Sequence, residues 1–268
     1  MKSDMFHCPR PNSKNAISSL DKKIQYNPEY FGISNDSVNG DGSGIRICVI
    51  DTGYPVHNKI PVSLENVIDF SNNKNGARDD HGHATGVAGI LKGNGDVKGI
   101  APAADMFYAK AIANSGQGTH SAVHASILYA IVKNVDIIVM SFGCNVEHPL
   151  LNDVINKAYK SGICLFAATG NINSKKKDII YPANFSEVMG VGYTKGNERK
   201  EILDARPGVA LPYKSLDTMY KHNDYIKMSG NSILTPVVAG MAARIIQKYD
   251  RKMTPKQVYS ALTTICCY

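Results

Sequence analysis

The stretch IRICVIDTG (45–53) decides the fold of this chain. IRICVI (45–50) is a short apolar run, rich in β-branched residues, and it ends at Asp51. Such a run is typical of a strand that is buried on both faces of a parallel sheet. A carboxylate directly after it would stand at the carboxyl edge of the sheet, where the functional groups of open α/β sheets collect.

Four more runs of this kind follow along the chain, and helical patterns lie between them. Because strand and helix alternate, the sequence predicts an α/β fold of three layers (αβα), with helices on both faces of a mostly parallel central sheet. The further strand patterns are MFYAKAI (106–112), VDIIVMSF (135–142), ICLFAA (163–168) and EVMGVGY (187–193). The helical patterns are HATGVAGIL (83–91), HSAVHASILYAIVK (120–133), LLNDVINKAYK (150–160), ILTPVVAGMAARIIQKY (233–249) and a last helix that starts at Thr254-Pro255.

The organisation indicates one folded domain with an N-terminal extension. Residues 1–43 are polar and rich in Asn, Ser, Asp and Gly, which predicts an arm or short pro-segment with little regular structure. Residues 44–268 form a single block of alternating patterns, and we interpret them as one domain. Within it, the stretch 193–228 carries the weakest pattern.

The composition argues against several classes of partner. The net charge is +7, but the longest basic run is Lys175-Lys176-Lys177 and no basic stripe alternates with aromatic residues, so we expect no nucleic-acid partner. No stretch approaches the roughly 20 apolar residues of a membrane span, so we expect no membrane association. The N-terminus lacks the apolar centre of a secretory signal and the cysteines lack zinc spacing, which favours reduced thiols in the cytoplasm. The oligomeric state stays open.

Four polar residues stand where they could meet at one edge of the predicted sheet. Asp51 and Asn171 follow strand patterns, and His83 and Ser232 each open a helical pattern. A serine nucleophile needs a base that takes its proton and a carboxylate that orients the base. The developing oxyanion needs a hydrogen-bond donor, which Asn171 could supply.

The motifs around these residues resemble those of the subtilisin-like serine peptidases (subtilases, peptidase family S8). The resemblance runs from about Ile45 to Ala261, and it is nearest in character to intracellular members without a large pro-domain. The motifs that carry it are VIDTG (49–53), HATGVAGI (83–90), GIAPAADMFYAKAI (99–112), VMSFG (139–143), AATGN (167–171) and SGNSILTPVVAG (229–240).

The resemblance implies a role for each matched residue in a serine endopeptidase. Ser232 would attack the scissile carbonyl, His83 would take its proton, and Asp51 would hold the imidazole. Asn171 would donate to the oxyanion. A protein or peptide substrate would bind as an extended strand between flanking segments. The residues implied for substrate binding are Gly116, Gln117, Gly118, Ser141, Phe142, Gly143, Ala168 and Gly170.

Some positions depart from the family pattern. Both His81 and His83 stand near the histidine motif, and the spacing to Val87 in the family pattern selects His83 as the base. Ala84 and Gly86 replace the usual Gly and His. In the serine motif, Asn231, Ile233 and Leu234 replace Thr, Met and Ala. These changes leave every catalytic group in place.

The resemblance also shapes what we expect of cofactors and of the arm. The 92–99 loop is short and offers only the carboxylate of Asp96, so we predict no calcium there, and we expect no required cofactor or metal. We favour an arm that packs on the core over a short inhibitory tail across the cleft, the arrangement of intracellular subtilisins. A weaker hypothesis places Lys175–Lys177 at the edge of the specificity pocket.

Two other functions stay open at this point. A metal-dependent hydrolase could use Asp79, Asp80, His81 and His83 as ligands. A catalytically weak or inactive peptide-binding module could also share the fold, because a fold does not fix a function.

Overall fold

The protein is described by a computed structural model that covers residues 5–34, 36, 38–72, 74–170, 180–194 and 207–266. The strands within these ranges are β1 Phe6–His7, β2 Ile24–Gln25, β3 Arg46–Asp51, β4 Val67–Asp69, β5 Val97–Lys98, β6 Asp105–Lys110, β7 Gln117–Gly118, β8 Ile137–Met140, β9 Cys164–Ala168, β10 Val188–Thr194, β11 Gly208–Pro212, β12 Ser215–Met219 and β13 Tyr225–Ser229. The α-helices are α1 His83–Lys92, α2 His120–Val132, α3 Pro149–Lys160, α4 Asn231–Lys248 and α5 Pro255–Cys266.

Seven strands form the central sheet in the order β11-β10-β9-β8-β3-β6-β4. Every neighbouring pair in it is parallel. Asp51, the last residue of β3, lies opposite Lys110 at the end of β6, and Ala168 at the end of β9 lies opposite Val191. The carboxyl ends of the central strands therefore meet at one edge.

Helices cover both faces of this sheet, and the strand residues alternate between two cores. Ile47 and Val49 of β3 join a core that contains α1, α4 and α5, whereas Cys48 and Ile50 face α2 and α3 on the other side. Because apolar packing is required on both faces, the strands are almost continuously apolar.

The predicted three-layer α/β fold is confirmed, and so are the predicted strands and helices. The five strand patterns correspond to β3, β6, β8, β9 and β10, and the helical patterns correspond to α1 to α5. In the stretch 193–228, residues 195–206 lie outside the described part, and the following residues form β11, β12 and part of β13, which the sequence analysis missed. Among the helices of the described residues, none combines the length and the apolarity that a bilayer-spanning segment needs.

Most of the arm packs on the body of the protein. Tyr26, Phe31, Ile33 and Val38 are buried in the core that contains α1 and α4. The strand β2 pairs in parallel with β5. These buried arm residues pack against the core. The first described residues of the arm follow a different course, into the site described next.

Candidate active site

Asp51 and His83 form a buried pair at the carboxyl edge of the sheet. Asp51 ends β3, His83 begins α1, and both side chains are fully buried. The Nδ1 atom of His83 lies 2.9 Å from Oδ1 and 3.0 Å from Oδ2 of Asp51. Burial alone lowers the pKa of His83, but the charge and hydrogen bond of Asp51, with the charge of Asp79, raise this pKa above its ordinary value of 6.5. The pair holds the imidazole proton on Nδ1 and leaves Nε2 as the acceptor.

Asp79 fixes the start of α1, and therefore the position of His83. Its Oδ1 atom accepts hydrogen bonds from the Thr52 hydroxyl and the Gly82 N–H, both at 2.8 Å. Its Oδ2 atom accepts from the N–H and the hydroxyl of Thr85, at 2.7 and 2.6 Å. A carboxylate at a helix N-terminus satisfies free N–H groups and complements the helix dipole. The sequence analysis missed this role, although an acidic residue just before a helical pattern was the available signal.

Ser232 lies in the first turn of α4, which packs against α1 and the central strands. The His83 Nε2 atom is buried and has no hydrogen-bond partner among the described residues, so no hydrogen bond joins it to Ser232. Such contacts often tighten only when substrate binds. Ser232 lines a cavity of about 700 Å³ together with predicted substrate-binding residues, namely Ser141, Phe142, Gly143, Ala168 and Gly170.

The predicted oxyanion donor Asn171 lies outside the described residues, as do Lys175–Lys177. The loop that leads to Asn171 is tied to the serine helix by Asn231. The Asn231 amide donates to the Thr169 hydroxyl at 3.0 Å and also to the Gly170 carbonyl. The asparagine that replaces the usual threonine of the serine motif therefore links this loop to the first turn of α4.

The start of the arm lies between the segments predicted to bind substrate. Strand β1 pairs antiparallel with β7, so that Phe6 is opposite Gly118 and His7 is opposite Gln117. On its other side, the His7 N–H donates to the Gly143 carbonyl at 2.9 Å, and the Gly143 N–H donates back at 3.3 Å. The arm is thus the middle strand of a three-stranded arrangement, the geometry expected for an extended substrate.

The backbone of the next arm residue continues this arrangement beside Asp51. The Cys8 N–H donates to the Gly116 carbonyl at 2.9 Å. Gly116 has φ +83°, and a Cβ there would lie 2.8 Å from the Cys8 carbonyl oxygen, so this close approach needs glycine. The Cys8 thiol is buried, 4.0 Å from Asp51 Oδ1. Burial, and then the charges of Asp51 and Asp79, raise the pKa of this thiol.

The Phe6 side chain anchors the arm in an aromatic pocket. It is fully buried, with its ring centroid 5.2 Å from that of Phe142 in an edge-to-face arrangement and 5.0 Å from that of His120. His120 in turn stacks on His148, with ring centroids 4.5 Å apart. Aromatic pairs of this geometry contribute beyond the area they bury. Nothing in the sequence around Phe6 had marked it as a site residue.

His81 has a different environment from His83, although both are fully buried. Neither ring nitrogen of His81 has a hydrogen-bond partner among the described residues. Burial, and then the neighbouring His83, lower the pKa of His81 to about 4. Its ring centroid lies 6.4 Å from that of His83. Of the two histidines, His83 is the one that the structure pairs with Asp51.

The structure also shows the surroundings of the four metal-type ligands near His83 and of Gly86. The group Asp79, Asp80, His81 and His83 is not gathered around one point, because both Asp79 oxygens serve α1 and Asp80 Oδ2 accepts from two asparagine amides. At Gly86, where the family usually has His, a Cβ would lie 2.4 Å from the Met228 sulfur. Gly86 therefore leaves room for the Met228 side chain against α1.

A parallel α/β sheet with a buried carboxylate–imidazole pair and a helix-initiating serine at one edge is the arrangement of a serine hydrolase. Residues 42–265 match the model of the subtilase family, and the chain belongs to that family. It is a serine-type endopeptidase that acts on proteins, and the predicted resemblance and activity are confirmed.

Named relatives cover most of the chain. The thermostable alkaline protease of Halalkalibacterium halodurans is 31% identical over 267 residues, which cover 95% of this chain and 71% of that protein. Subtilisin DY of Bacillus licheniformis is 32% identical over 231 residues, 83% of this chain and 84% of that protein. Subtilisin Savinase of Lederbergia lenta is 30% identical over 213 residues, 77% of this chain and 78% of that protein.

Proposed function

We propose that Ser232 is the nucleophile of this endopeptidase, His83 its general base, and Asp51 the group that orients the base. The observation that carries this assignment is the buried Asp51–His83 pair, with distances of 2.9 and 3.0 Å and an unpartnered Nε2. Ser232 lines the cavity at the same edge of the sheet. We propose no required cofactor, because these side chains and water suffice for the chemistry.

The reaction proceeds in two displacements on Ser232. His83 Nε2 takes the hydroxyl proton as the serine oxygen bonds to the scissile carbonyl carbon, and it gives that proton to the amine as the C–N bond breaks. The acyl ester on Ser232 is then attacked by a water molecule that loses a proton to the same nitrogen. The bond between the acyl carbon and the serine oxygen breaks, and that proton passes from Nε2 to the serine oxygen, which releases the carboxylic acid product and restores the hydroxyl. The oxyanion of each step is stabilised by Asn171 and by the Ser232 N–H, which helix geometry leaves without an intrahelical acceptor.

The substrate binds as an extended strand between β7 and the segment 141–143. The arm supports this proposal, because residues Phe6 to Cys8 make the backbone hydrogen bonds that such a strand would make, with Gly116, Gly118 and Gly143. Main-chain pairing of this kind provides affinity for any extended peptide, and the side-chain pockets select among sequences. Gln117, Ala168 and Gly170 complete the proposed binding surface.

The same contacts make the arm an inhibitor of its own cleft. While Phe6, His7 and Cys8 occupy the central position, a substrate strand cannot enter. Pro9 follows in the cavity that Ser232 lines, and it has no N–H to donate where an extended strand would next pair with the 141–143 side. The full chain therefore has to release its first residues before it cleaves other proteins.

We expect Phe6→Ala to activate the full chain. Truncating a fully buried phenylalanine costs about 3–5 kcal/mol, so closure of the arm would weaken by about 10²- to 4 × 10³-fold. The rate at which a fluorophosphonate labels the protein measures the open fraction. Phe31→Ala is the matched control, because Phe31 is also a buried arm residue but lies in the core. Equal labelling rates for Phe6→Ala and the wild-type chain would contradict the inhibitory role.

Activity should decline on the acid side through a pKa above 6.5. Because Asp51 and Asp79 raise the pKa of His83, the base becomes protonated at a higher pH than an ordinary histidine and then cannot accept the serine proton. The measurement is kcat/KM of Phe6→Ala against pH, in buffer that contains a chelator. An acid limb centred well below 6.5 would show that the base is not held by these carboxylates.

The peptide hydrolysis assay with Phe6→Ala also tests the alternative that the protein binds peptides without cleaving them. Peptide hydrolysis by Phe6→Ala that persists with chelator and stops with a fluorophosphonate supports the serine peptidase mechanism. Tight peptide binding with no hydrolysis in the same variant would favour the binding module. Hydrolysis that the chelator stops would favour a metal-dependent hydrolase.

We propose that the protein works in a reducing compartment such as the cytoplasm. Cys48 and Cys164 are buried members of the two cores, and Cys144 lines the cavity, where its thiol donates to the Val146 carbonyl at 3.2 Å. Buried cysteines that form no disulfide are typical of proteins that remain in reduced surroundings. The 92–99 loop, where we predict no calcium, uses its Asp96 carboxylate in another way. This carboxylate accepts a hydrogen bond from the Tyr225 hydroxyl at 2.9 Å.

A further inference from the structure

The arm brings a third type of metal ligand to the buried Asp–His pair. One ligand atom from each of Cys8, Asp51 and His83 lies within 4.8 Å of the other two, and all three residues are buried. The arm supplies Cys8, and the catalytic edge of the sheet supplies the other two. The cluster therefore exists only while the arm is docked.

We propose that these three side chains form a binding site for Zn²⁺, and that the ion locks the arm over the catalytic edge. Sulfur, nitrogen and oxygen ligands from Cys, His and Asp are the set that zinc takes in proteins, with a fourth position left for water. Calcium and magnesium prefer oxygen ligands alone, so this donor set selects against them.

The distances require two small shifts, because His83 Nδ1 and Asp51 Oδ1, which are 2.9 Å apart, must separate slightly and the Cys8 sulfur must approach. Tetrahedral zinc with bonds of about 2.0–2.3 Å holds its ligand atoms about 3.3–3.7 Å apart. The Cys8 sulfur and Asp51 Oδ1 are already 4.0 Å apart. The Cys8 backbone is held by Gly116, and a small change of its side-chain torsion would bring the sulfur to this distance. On binding, the thiol proton is released to solvent and the thiolate sulfur bonds to the metal, while the imidazole proton of His83 moves from Nδ1, which the metal takes, to Nε2.

The nitrogen of His83 that faces the cluster is Nδ1, which lies 2.9 Å from Asp51 Oδ1. Zinc would bond to this nitrogen in place of its hydrogen bond to the carboxylate. The neighbouring His81 has both ring nitrogens buried without a hydrogen-bond partner among the described residues. Buried polar atoms in native proteins are usually satisfied, so these two nitrogens indicate that a ligand or water lies beside the cluster.

Zinc bound in this way makes the inhibited state depend on metal. Since the site needs both Cys8 and the Asp51–His83 pair, an ion at 100 times its dissociation constant would favour the docked arm by about 100-fold. An ion on Nδ1 would also hold the imidazole proton of His83 on Nε2, so that this nitrogen could not accept the serine proton. This inference rests on the proposed roles of the arm and of His83, but binding of the ion can be measured without catalysis.

The test is a zinc titration of the full chain carrying Ser232→Ala, which prevents self-cleavage. Zn²⁺ alone competes with a chromophoric chelator, and Co²⁺ in its place reports a thiolate bond through its charge-transfer absorption. We expect one equivalent to bind, and we expect Cys8→Ala and Cys8→Ser to weaken binding by at least about 100-fold. Thermal melts establish that the variants are folded.

Cys144→Ala is the matched control, because Cys144 is a buried thiol that lines the same cavity. The Cys144→Ala variant should bind Zn²⁺ as tightly as its parent and should show the same charge-transfer absorption with Co²⁺. Binding that survives in Cys8→Ala, or that Cys144→Ala removes instead, would overturn the proposal. So would the absence of stoichiometric binding to the full chain.

The rate of fluorophosphonate labelling is a second readout, and it distinguishes inhibition by zinc through the arm from the proposed peptidase mechanism. In the chain with Ser232 intact, Zn²⁺ should slow fluorophosphonate labelling at least tenfold, and it should have no such effect in Cys8→Ala. Equal slowing in both would mean that zinc acts elsewhere. If Phe6→Ala itself cannot be labelled, the proposed peptidase mechanism fails, whereas the zinc titration still decides whether the metal site exists.

Discussion

Replacing Ser232 with alanine is expected to lower kcat by about 10⁶-fold, the loss measured for the corresponding change in subtilisin. The reason is that alanine removes the atom that becomes acylated, so only transition-state binding remains. The comparison is made in the Phe6→Ala background, so that an occupied cleft limits neither protein. Peptide hydrolysis under saturating substrate measures the effect.

The matched control for this change is Ser126→Ala. Ser126 is another buried helical serine, and its hydroxyl donates to the Ala122 carbonyl at 2.8 Å, away from the cleft. It should change kcat by less than a factor of a few. A Ser232→Ala variant that retains more than about one part in 10³ of the activity would mean that another group performs the attack.

Asp51→Asn is expected to lower kcat by about 10⁴-fold, as the equivalent change does in a serine protease of a different fold. Asparagine fits the same space, but its amide favours the wrong tautomer of His83 and supplies no charge for the imidazolium. The two contacts at 2.9 and 3.0 Å show how directly the carboxylate holds this ring. Kinetics of the substitution in the Phe6→Ala background measure the loss.

Asp69→Asn provides the comparison for Asp51. Asp69 ends the edge strand β4, which β6 separates from β3, and its carboxylate accepts hydrogen bonds from Ser71 at 2.7 Å. It is a carboxylate at the same edge of the sheet without contact to the imidazole. A similar loss of kcat in both variants would show that removing any carboxylate at this edge lowers the rate, and that Asp51 has no specific role in orienting the base.

The fold could be predicted from the sequence because its strands are buried on both faces. Continuous apolar runs such as IRICVI and ICLFAA leave few alternatives to a parallel sheet, and each correctly predicted helix covers one of its faces. The strands after residue 207 escaped prediction because they are only partly apolar. Strand β12, for example, reads SLDTM, with its first residue exposed and its third half-buried.

The sequence marked some residues of the candidate site and left others unmarked, for a physical reason. Asp51 and His83 stand in motifs whose local sequence dictates a strand end and a helix start. Asp79, by contrast, acts through hydrogen bonds to residues up to 27 positions away. Phe6 and Cys8 belong to a polar arm that has no periodicity, and their partners in the cleft are more than 40 residues distant. Only the packed chain brings these groups together.

The most direct test of the account is to identify the residue that a fluorophosphonate modifies in the Phe6→Ala protein. Intact mass and peptide mapping should show a single adduct on Ser232, and adding His83→Ala should reduce the labelling rate by several orders of magnitude. A protein that hydrolyses peptides but remains unlabelled, or that carries the adduct on a different residue, would contradict the assignment of nucleophile and base.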